Sequence, residues 1–127
     1  MKLYEVFDDK GFHTTIMTTF GVEFDAFESI VLSRLRDAEC RNVMLVCDAG
    51  MLGLALADAG RPPKSAGTSY LVTKARAAGV FHPKVIVQIG KNRGRLIVAS
   101  ANATAPGLAG NLELATTIEC GANLRRQ

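Results

Sequence analysis

A short apolar run, NVMLVC at positions 42–47, most constrains how this chain can fold. A run of strand length without polar alternation is typical of a β-strand that is covered on both faces. Asp48 follows the run and is interpreted as the N-cap of a helix predicted over positions 49–60, ending at Gly60. A buried strand that leads directly into a helix indicates an α/β fold.

Apolar spacing upstream of this strand predicts another helix. Five apolar side chains recur there at intervals of three and four residues, which places them on one helical face. They are Phe24, Phe27, Val31, Leu35 and Ala38. Further strands are predicted over positions 3–7, 12–19, 70–73, 81–89, 95–100 and 112–118. Strands interleaved with helices predict a mixed β-sheet packed against helices.

The length and composition suit one domain covering positions 1–127. Hydrophobic residues make up 48% of the chain, which is enough for an independent core. No apolar run approaches the roughly 18–20 residues that a membrane helix requires, and the N-terminus lacks a secretory signal pattern. The three cysteines, none in a CxxC pair, indicate reduced thiols in the cytoplasm and give little support for zinc.

Charge is distributed unevenly along the sequence. Positions 1–58 hold ten acidic and five basic residues, whereas positions 59–112 hold eight basic residues and no acidic one. Such clustering produces either a solvated basic face or a surface that attracts a polyanion. Charge alone leaves nucleic acid, anionic lipid and a small phosphoester open as partners. The eight basic residues are Arg61, Lys64, Lys74, Arg76, Lys84, Lys91, Arg93 and Arg95.

The segment at 81–89 alternates and predicts a strand with two distinct faces. Its odd positions are apolar and are expected to face the core, whereas its even positions include His82 and Lys84. The turn GKNRG at 90–94 leads to the next strand. A hairpin symmetric about Asn92 would then place these two polar residues opposite residues of the following strand.

In that register, Lys84 pairs with Ser100 and His82 with Asn102. Cross-strand neighbours have Cβ atoms about 4.5–5.5 Å apart, so four polar side chains would converge beside a Gly/Ala-rich loop. The same register pairs Gln88 with Leu96 and Ile86 with Val98. A slip of one residue would move one strand's side chains to the opposite face.

These residue types suit phosphoryl chemistry. Lys84 offers a compact cation for a non-bridging phosphate oxygen, and Ser100 and Asn102 offer neutral donors. Histidine acts as a nucleophile or as a general acid or base near neutral pH. A lone histidine at a strand end is more often structural, but four compatible groups at matched spacing favour a functional role for His82.

A carboxylate is needed to orient the imidazole and to stabilise its cation. The acid-free stretch separates Asp58 from the next acidic residues, Glu113 and Glu119. Glu113 could come from a neighbouring strand, and Glu119 is the other acid for which this holds.

The order His82-x-Lys84, Ser100-x-Asn102 and Glu113 resembles the phospholipase D superfamily. The signature of that family is H-x-K-(x)4-D, then G-S-x-N and a downstream acid. The flanking residues FHPK, ASANAT and NLE are similar to its nuclease-type branch, most of all to the catalytic half of metal-independent restriction endonucleases. The resemblance implies an α/β fold, with a mixed β-sheet sandwiched between helices and the two motifs on adjacent strands of a hairpin.

The resemblance also implies a role for each residue. His82 would attack phosphorus and form a phosphohistidine intermediate. Lys84 and Asn102 would bind phosphate oxygens with support from Ser100, and Glu113 would orient the histidine. No metal and no other cofactor would be required.

Family members combine two such motifs, whereas this chain contains one. The resemblance therefore implies a homodimer with a composite site, or a chain that is the N-terminal domain of a longer protein. The acid-free basic stretch favours nucleic acid, most of all DNA, over lipid as the substrate. The sequence shows no amphipathic stretch suited to a membrane surface, which argues against phospholipid hydrolysis.

Two positions depart from the family pattern. Ile89 stands where the signature has its aspartate, and Ala99 replaces the usual glycine. Both departures leave open an alternative, in which a degenerate domain binds phosphate or nucleic acid, or mediates dimerisation, within a larger restriction or repair protein.

Overall fold

In the computed structural model, which describes residues 2–58, 60–110 and 115–121, the strands form one mixed sheet. The described strands are β1 (Thr14–Thr19), β2 (Asn42–Asp48), β3 (Leu71–Ala75), β4 (Val85–Ile89), β5 (Arg93–Ala99) and β6 (Ala115–Gly121). Their order across the sheet is β3-β2-β1-β4-β5-β6. β1, β2 and β3 run parallel to one another, whereas the pairs β1–β4, β4–β5 and β5–β6 are antiparallel.

Helices connect the parallel strands. Between β1 and β2 the chain forms α1 (Phe24–Ala26), a π-helical segment (Phe27–Leu32) and α2 (Ser33–Asp37), which confirms the helix predicted from apolar spacing. α3 (Ala49–Ala57) connects β2 to β3, and α4 (Ala105–Ala109) follows β5. α3 ends before the predicted Gly60, because Asp58 takes an extended backbone conformation.

The N-terminal segment is a 3-10 helix over Leu3–Asp8, so the strand predicted over positions 3–7 is wrong. Its buried side chains are Leu3, Val6 and Phe7. Intervals of three and four residues suit a helical turn, whereas a strand would bury every second residue. The strand predicted to start at position 12 begins at Thr14.

The core lies on one face of the sheet. Met17, Leu45, Ile86 and Ile97 point from four strands into an apolar cluster that also contains the buried residues of the helices. The opposite face keeps large apolar side chains 41–59% exposed, namely Leu71, Ile89, Val98 and Ile118. The buried core of the described residues therefore lies against one face of the sheet, and the mixed sheet with its helices confirms the predicted α/β class.

The β4–β5 register differs by one residue from the prediction. Ile86 pairs with Ile97, and Gln88 pairs with Arg95. Gly90 N–H donates to the Arg93 carbonyl oxygen at 2.8 Å, so the turn between these two paired residues consists of Lys91 and Asn92. The predicted register was wrong because it assumed a turn with an odd number of residues, centred on a single residue.

The predicted faces of β4 are also reversed. The even positions Ile86 and Gln88 are 2% and 1% exposed, whereas Ile89 is 41% exposed. Burial of Gln88 is tolerated because its amide is hydrogen-bonded: its oxygen accepts from Arg95 and its NH2 group donates to Thr15 Oγ1 at 3.2 Å. A buried polar residue thus lies where the alternation pattern predicted an outward face.

β4 is also shorter than the strand predicted over positions 81–89. It starts at Val85, because Pro83 has no N–H group to add to a strand ladder. The remaining strands are confirmed with shifted bounds. β6 extends the predicted strand towards Gly121, and positions 111–114 lie outside the described residues. No helix among the described residues is long and apolar enough to cross a membrane.

Candidate active site

His82 and Lys84 lie immediately before β4, and their side chains are in contact. The distance from Lys84 Nζ to His82 Nδ1 is 2.7 Å, and the same ammonium lies 3.2 Å from the His82 carbonyl oxygen. An ammonium group can only donate, so Nδ1 accepts and a neutral ring carries its proton on Nε2. Burial lowers the pKa of Lys84, which means that desolvation already disfavours the charged form of this side chain.

Asn102 is brought to the same place through Phe20, which follows the last residue of β1. The rings of Phe20 and His82 have centroids 4.8 Å apart. Asn102 Oδ1 accepts from the backbone N–H groups of Phe20 and Gly21, each at 3.3 Å, and from Thr19 Oγ1 at 3.2 Å. With its amide oxygen engaged, Asn102 would offer its NH2 group to a ligand.

The loop that carries Asn102 is fixed to the end of β1 by backbone contacts. Ala103 N–H donates to Thr19 Oγ1 at 3.0 Å, and Val22 and Ala103 form an isolated parallel bridge. Gly107 lies so close to this loop that a Cβ there would be 2.2 Å from the Asn102 carbonyl oxygen. Glycine is therefore required at 107 for α4 to pack against the asparagine.

Thr18 fixes the other half of the site. Its hydroxyl accepts the Val85 N–H at 2.9 Å and lies 2.9 Å from the Pro83 carbonyl oxygen, to which it can donate. One threonine thus holds the backbone on both sides of Lys84. The sequence analysis missed Thr18, Thr19 and Phe20, because hydrogen bonds to backbone leave no spacing pattern. The available signal was the threonine-rich end of β1 before a glycine.

Ser100 makes none of the side-chain contacts described above. Ser100 is exposed just after β5, where the neighbouring Ala99 N–H donates to the Lys84 carbonyl oxygen at 3.0 Å. The backbone thus places Ser100 beside the site. Glu113 lies outside the described residues, and its predicted role is taken up below as a proposal.

Asp48 is the N-cap of α3, as expected: its Oδ2 accepts the Met51 N–H at 3.0 Å. Its second oxygen accepts the N–H of Phe81, the residue before His82, at 2.9 Å. These two donors, with a smaller attraction from His82, lower the pKa of Asp48. The sequence prediction recognised the cap and missed this second contact.

The position of the signature aspartate lies far from this cluster. Ile89 ends β4 and pairs with Thr14 and Gly94 at the turn end of the hairpin. Ile89 is five positions beyond Lys84, which is roughly 16 Å along a strand. An apolar residue at 89 therefore leaves the contact between His82 and Lys84 and the contacts of Asn102 unaffected.

Comparison with known proteins places this geometry in a known fold. No family model and no curated protein matches the sequence. The structure of a yeast tyrosyl-DNA phosphodiesterase variant aligns over 96% of this chain with a TM-score of 0.60 and 14% identity. The chain shares the fold of this phosphodiesterase, as the resemblance drawn from the sequence implied.

Two further solved structures share the same fold. NucT from Helicobacter pylori aligns over 94% of this chain with a TM-score of 0.54 and 11% identity. The polyphosphate kinase from Porphyromonas gingivalis aligns over 98% with a TM-score of 0.58 and 16% identity. This chain spans 27% of the yeast protein, 75% of NucT and 18% of the kinase.

Proposed function

We propose that this protein is a metal-independent phosphodiesterase that cleaves nucleic acid, with DNA as its substrate. The observation that carries the proposal is that Phe20 contacts both His82 and Asn102, while the Lys84 ammonium contacts the His82 ring. The sequence places them in an H-x-K and S-x-N pattern, and the fold is shared with a tyrosyl-DNA phosphodiesterase. A nucleophile, a cation and an amide donor are the groups that phosphoryl transfer through histidine requires.

The first chemical step replaces one bond to phosphorus. His82 Nε2 attacks the phosphodiester, a nitrogen–phosphorus bond forms, and the bond to the leaving oxygen breaks. Lys84 and Asn102 hold the non-bridging oxygens with support from Ser100. Nε2 must be free of its proton, so Lys84 has to leave Nδ1 for the phosphate while the proton moves to Nδ1. Glu113 is proposed to accept the hydrogen bond from Nδ1–H.

The second step regenerates the enzyme. Water attacks the phosphohistidine, gives up a proton, and restores free His82 and a phosphomonoester. The leaving oxygen of the first step needs a proton, and the same acid then acts as the base for the water. Because the chain contains one H-x-K motif, we propose that a second His82 fills this role in a homodimer with a composite site.

Basic residues at the same edge of the sheet favour a polyanionic substrate. β3 runs parallel to β2, so its carboxyl end lies beside Asp48 and on the edge that carries the site. Lys74 and Arg76 are exposed at that end, and the segment that contains them has no acidic residue. Such a surface suits the backbone of a nucleic acid that extends beyond the scissile phosphate.

A nuclease assay tests the proposal. Purified protein is incubated with single-stranded and duplex DNA in excess EDTA, and the quenched reaction is analysed for acid-labile phosphate on the protein. We expect cleavage in EDTA, and a loss of about 10³-fold or more in His82→Ala. His13→Ala is the matched control, since His13 contacts its neighbour Thr14 and lies away from the site.

Ile89 and Ala99 depart from the family signature, so the same assay also tests the alternative that the domain binds DNA without cleaving it. Tight DNA binding by a purified dimer without cleavage would contradict the phosphodiesterase proposal, and it would identify a degenerate binding module. Activity that requires liposomes would instead identify a phospholipid substrate.

A further inference from the structure

We propose that Asp48 is a positioning residue for His82: its carboxylate fastens the loop that carries the histidine to the carboxyl end of β2. This inference rests on the proposed phosphodiesterase function. It assigns a role to a residue that lies outside the H-x-K and S-x-N motifs and 34 positions before the histidine.

The two carboxylate oxygens of Asp48 hold two different segments. Oδ2 accepts the Met51 N–H at 3.0 Å in the first turn of α3, and Oδ1 accepts the Phe81 N–H at 2.9 Å. The residue is 8% exposed, so neither hydrogen bond competes strongly with water. One buried side chain therefore links the start of a helix to the residue next to His82.

The loop around His82 needs such an anchor. β4 begins at Val85, and Pro83 cannot donate to a strand ladder, so regular sheet pairing does not reach the histidine. Thr18 holds the backbone on the carboxyl side of His82, and Asp48 holds it on the amino side. A nucleophile misplaced by about 1 Å can lose roughly 100-fold in rate.

Charge supports the same assignment. Positions 59–112 contain no acidic residue, so a carboxylate that acts on His82 within the described chain must come from another segment. The attraction between Asp48 and His82 contributes to the lowered pKa of the aspartate. Asp48 thus places a negative charge close to an imidazole that already contacts the Lys84 ammonium.

Asp48→Ser separates the two roles of the carboxylate. Serine is a favoured N-cap and can still accept the Met51 N–H, but its shorter side chain cannot also accept from Phe81. We expect the kcat for DNA cleavage to fall about 10- to 100-fold, with KM within about twofold and little change in melting temperature. Asp48→Ala should show the same fall in kcat together with lower stability, and Asp48→Asn should recover part of the rate.

A spectroscopic measurement tests the position of the ring independently of activity. The chain has two histidines, and the Phe20 ring shifts the carbon-bound proton resonances of His82 because the ring centroids are 4.8 Å apart. Asp48→Ser should move the His82 resonances and leave those of His13 in place. The matched control is Asp58→Ser, which removes an acid at the other end of α3, where it accepts from Gly60.

The outcomes separate this inference from the proposed function. Wild-type kcat in Asp48→Ser would overturn the positioning role, and so would a loss of kcat with unmoved His82 resonances. If the wild-type protein cleaves no DNA, the proposed function fails. The resonance comparison then decides by itself whether Asp48 places the His82 ring.

Discussion

The two ends of the β4–β5 hairpin carry similar polar residues in opposite circumstances. At the turn end, Arg95 is 8% exposed, and its guanidinium donates to Gln88, Asp9 and the Val6 carbonyl oxygen. At the open end, the Lys84 ammonium contacts only the ring and carbonyl oxygen of His82 among described residues. Protein acceptors satisfy the first cation, whereas the second has one residue as its partner among the described residues, which suits its proposed exchange of that partner for a phosphate.

This difference shows that residue type does not identify the functional end of the hairpin. Arginine and glutamine at the turn end have the chemistry of an anion site, yet their donors and acceptors are used within the fold. Lysine and histidine at the open end lie beside a loop that another segment holds in place. What separates the two ends is whether the polar groups already have protein partners.

The largest effect is expected for Arg95→Met, which removes the buried guanidinium. The Gln88 amide oxygen and the Val6 carbonyl oxygen would lose their donor, which should cost about 3 kcal/mol in the free energy of unfolding. Urea denaturation measures this loss of unfolding free energy. Arg93→Met is the matched control, because its ion pair with Glu119 is 40% exposed and should change stability by less than about 1 kcal/mol. Equal losses would contradict the comparison.

Lys84→Met should instead lower the cleavage rate and leave the stability of the fold unchanged. The cleavage rate should fall about 100-fold or more, since a cation aimed at the developing phosphate charge is lost. The unfolding midpoint in urea should stay close to that of the wild type. Lys91→Met, in the exposed two-residue turn, removes the same charge from the other end of the hairpin and should retain the rate. A large loss of stability in Lys84→Met would show that this lysine is structural as well.

The smallest effect concerns thiol reactivity at the site end and at the turn end of the sheet. Burial, with a smaller contribution from the Asp48 charge, raises the pKa of Cys47 to about 11, whereas Cys120 is exposed opposite Gly94. A raised pKa keeps a thiol protonated, so at pH 8 roughly one Cys47 in a thousand is a thiolate.

Alkylation followed by mass spectrometry checks this prediction. In the folded protein at pH 8, Cys120 should react and Cys47 should not. Labelling of Cys47 should appear only in denaturant or at strongly alkaline pH. Fast labelling of Cys47 in the native protein would mean that the site end of the sheet opens more readily than the turn end.

Sequence reasoning succeeded where one physical constraint dominates. The apolar run became β2, which buries Val43, Leu45 and Cys47, and the helix before it followed from apolar spacing. The pairing of His82 with Asn102 was predicted from a register that proved wrong, and the proposed roles of both residues stay predictions.

Sequence reasoning failed where contacts between particular residues determine the structure. The parity of the turn set the register of β4 and β5, and no residue pattern distinguishes two turn residues from three here. Gln88 could be buried because Arg95 lies opposite it, a fact that depends on that register. Phe20 and Thr18 act through backbone hydrogen bonds and ring contact, which sequence spacing does not encode.

The hydrogen bonds that fix the site join residues far apart along the chain. Thr18 and Pro83 are separated by 65 positions, and Thr19 and Asn102 by 83. Contacts of such long range form only after most of the chain has been ordered. A fragment ending before β4 would keep the parallel half of the sheet and the residues that steady the histidine, but not the histidine itself. On refolding, the proposed cleavage activity would therefore return only when the parallel and antiparallel halves of the sheet have paired. Recovery of that activity would report the completion of the whole sheet.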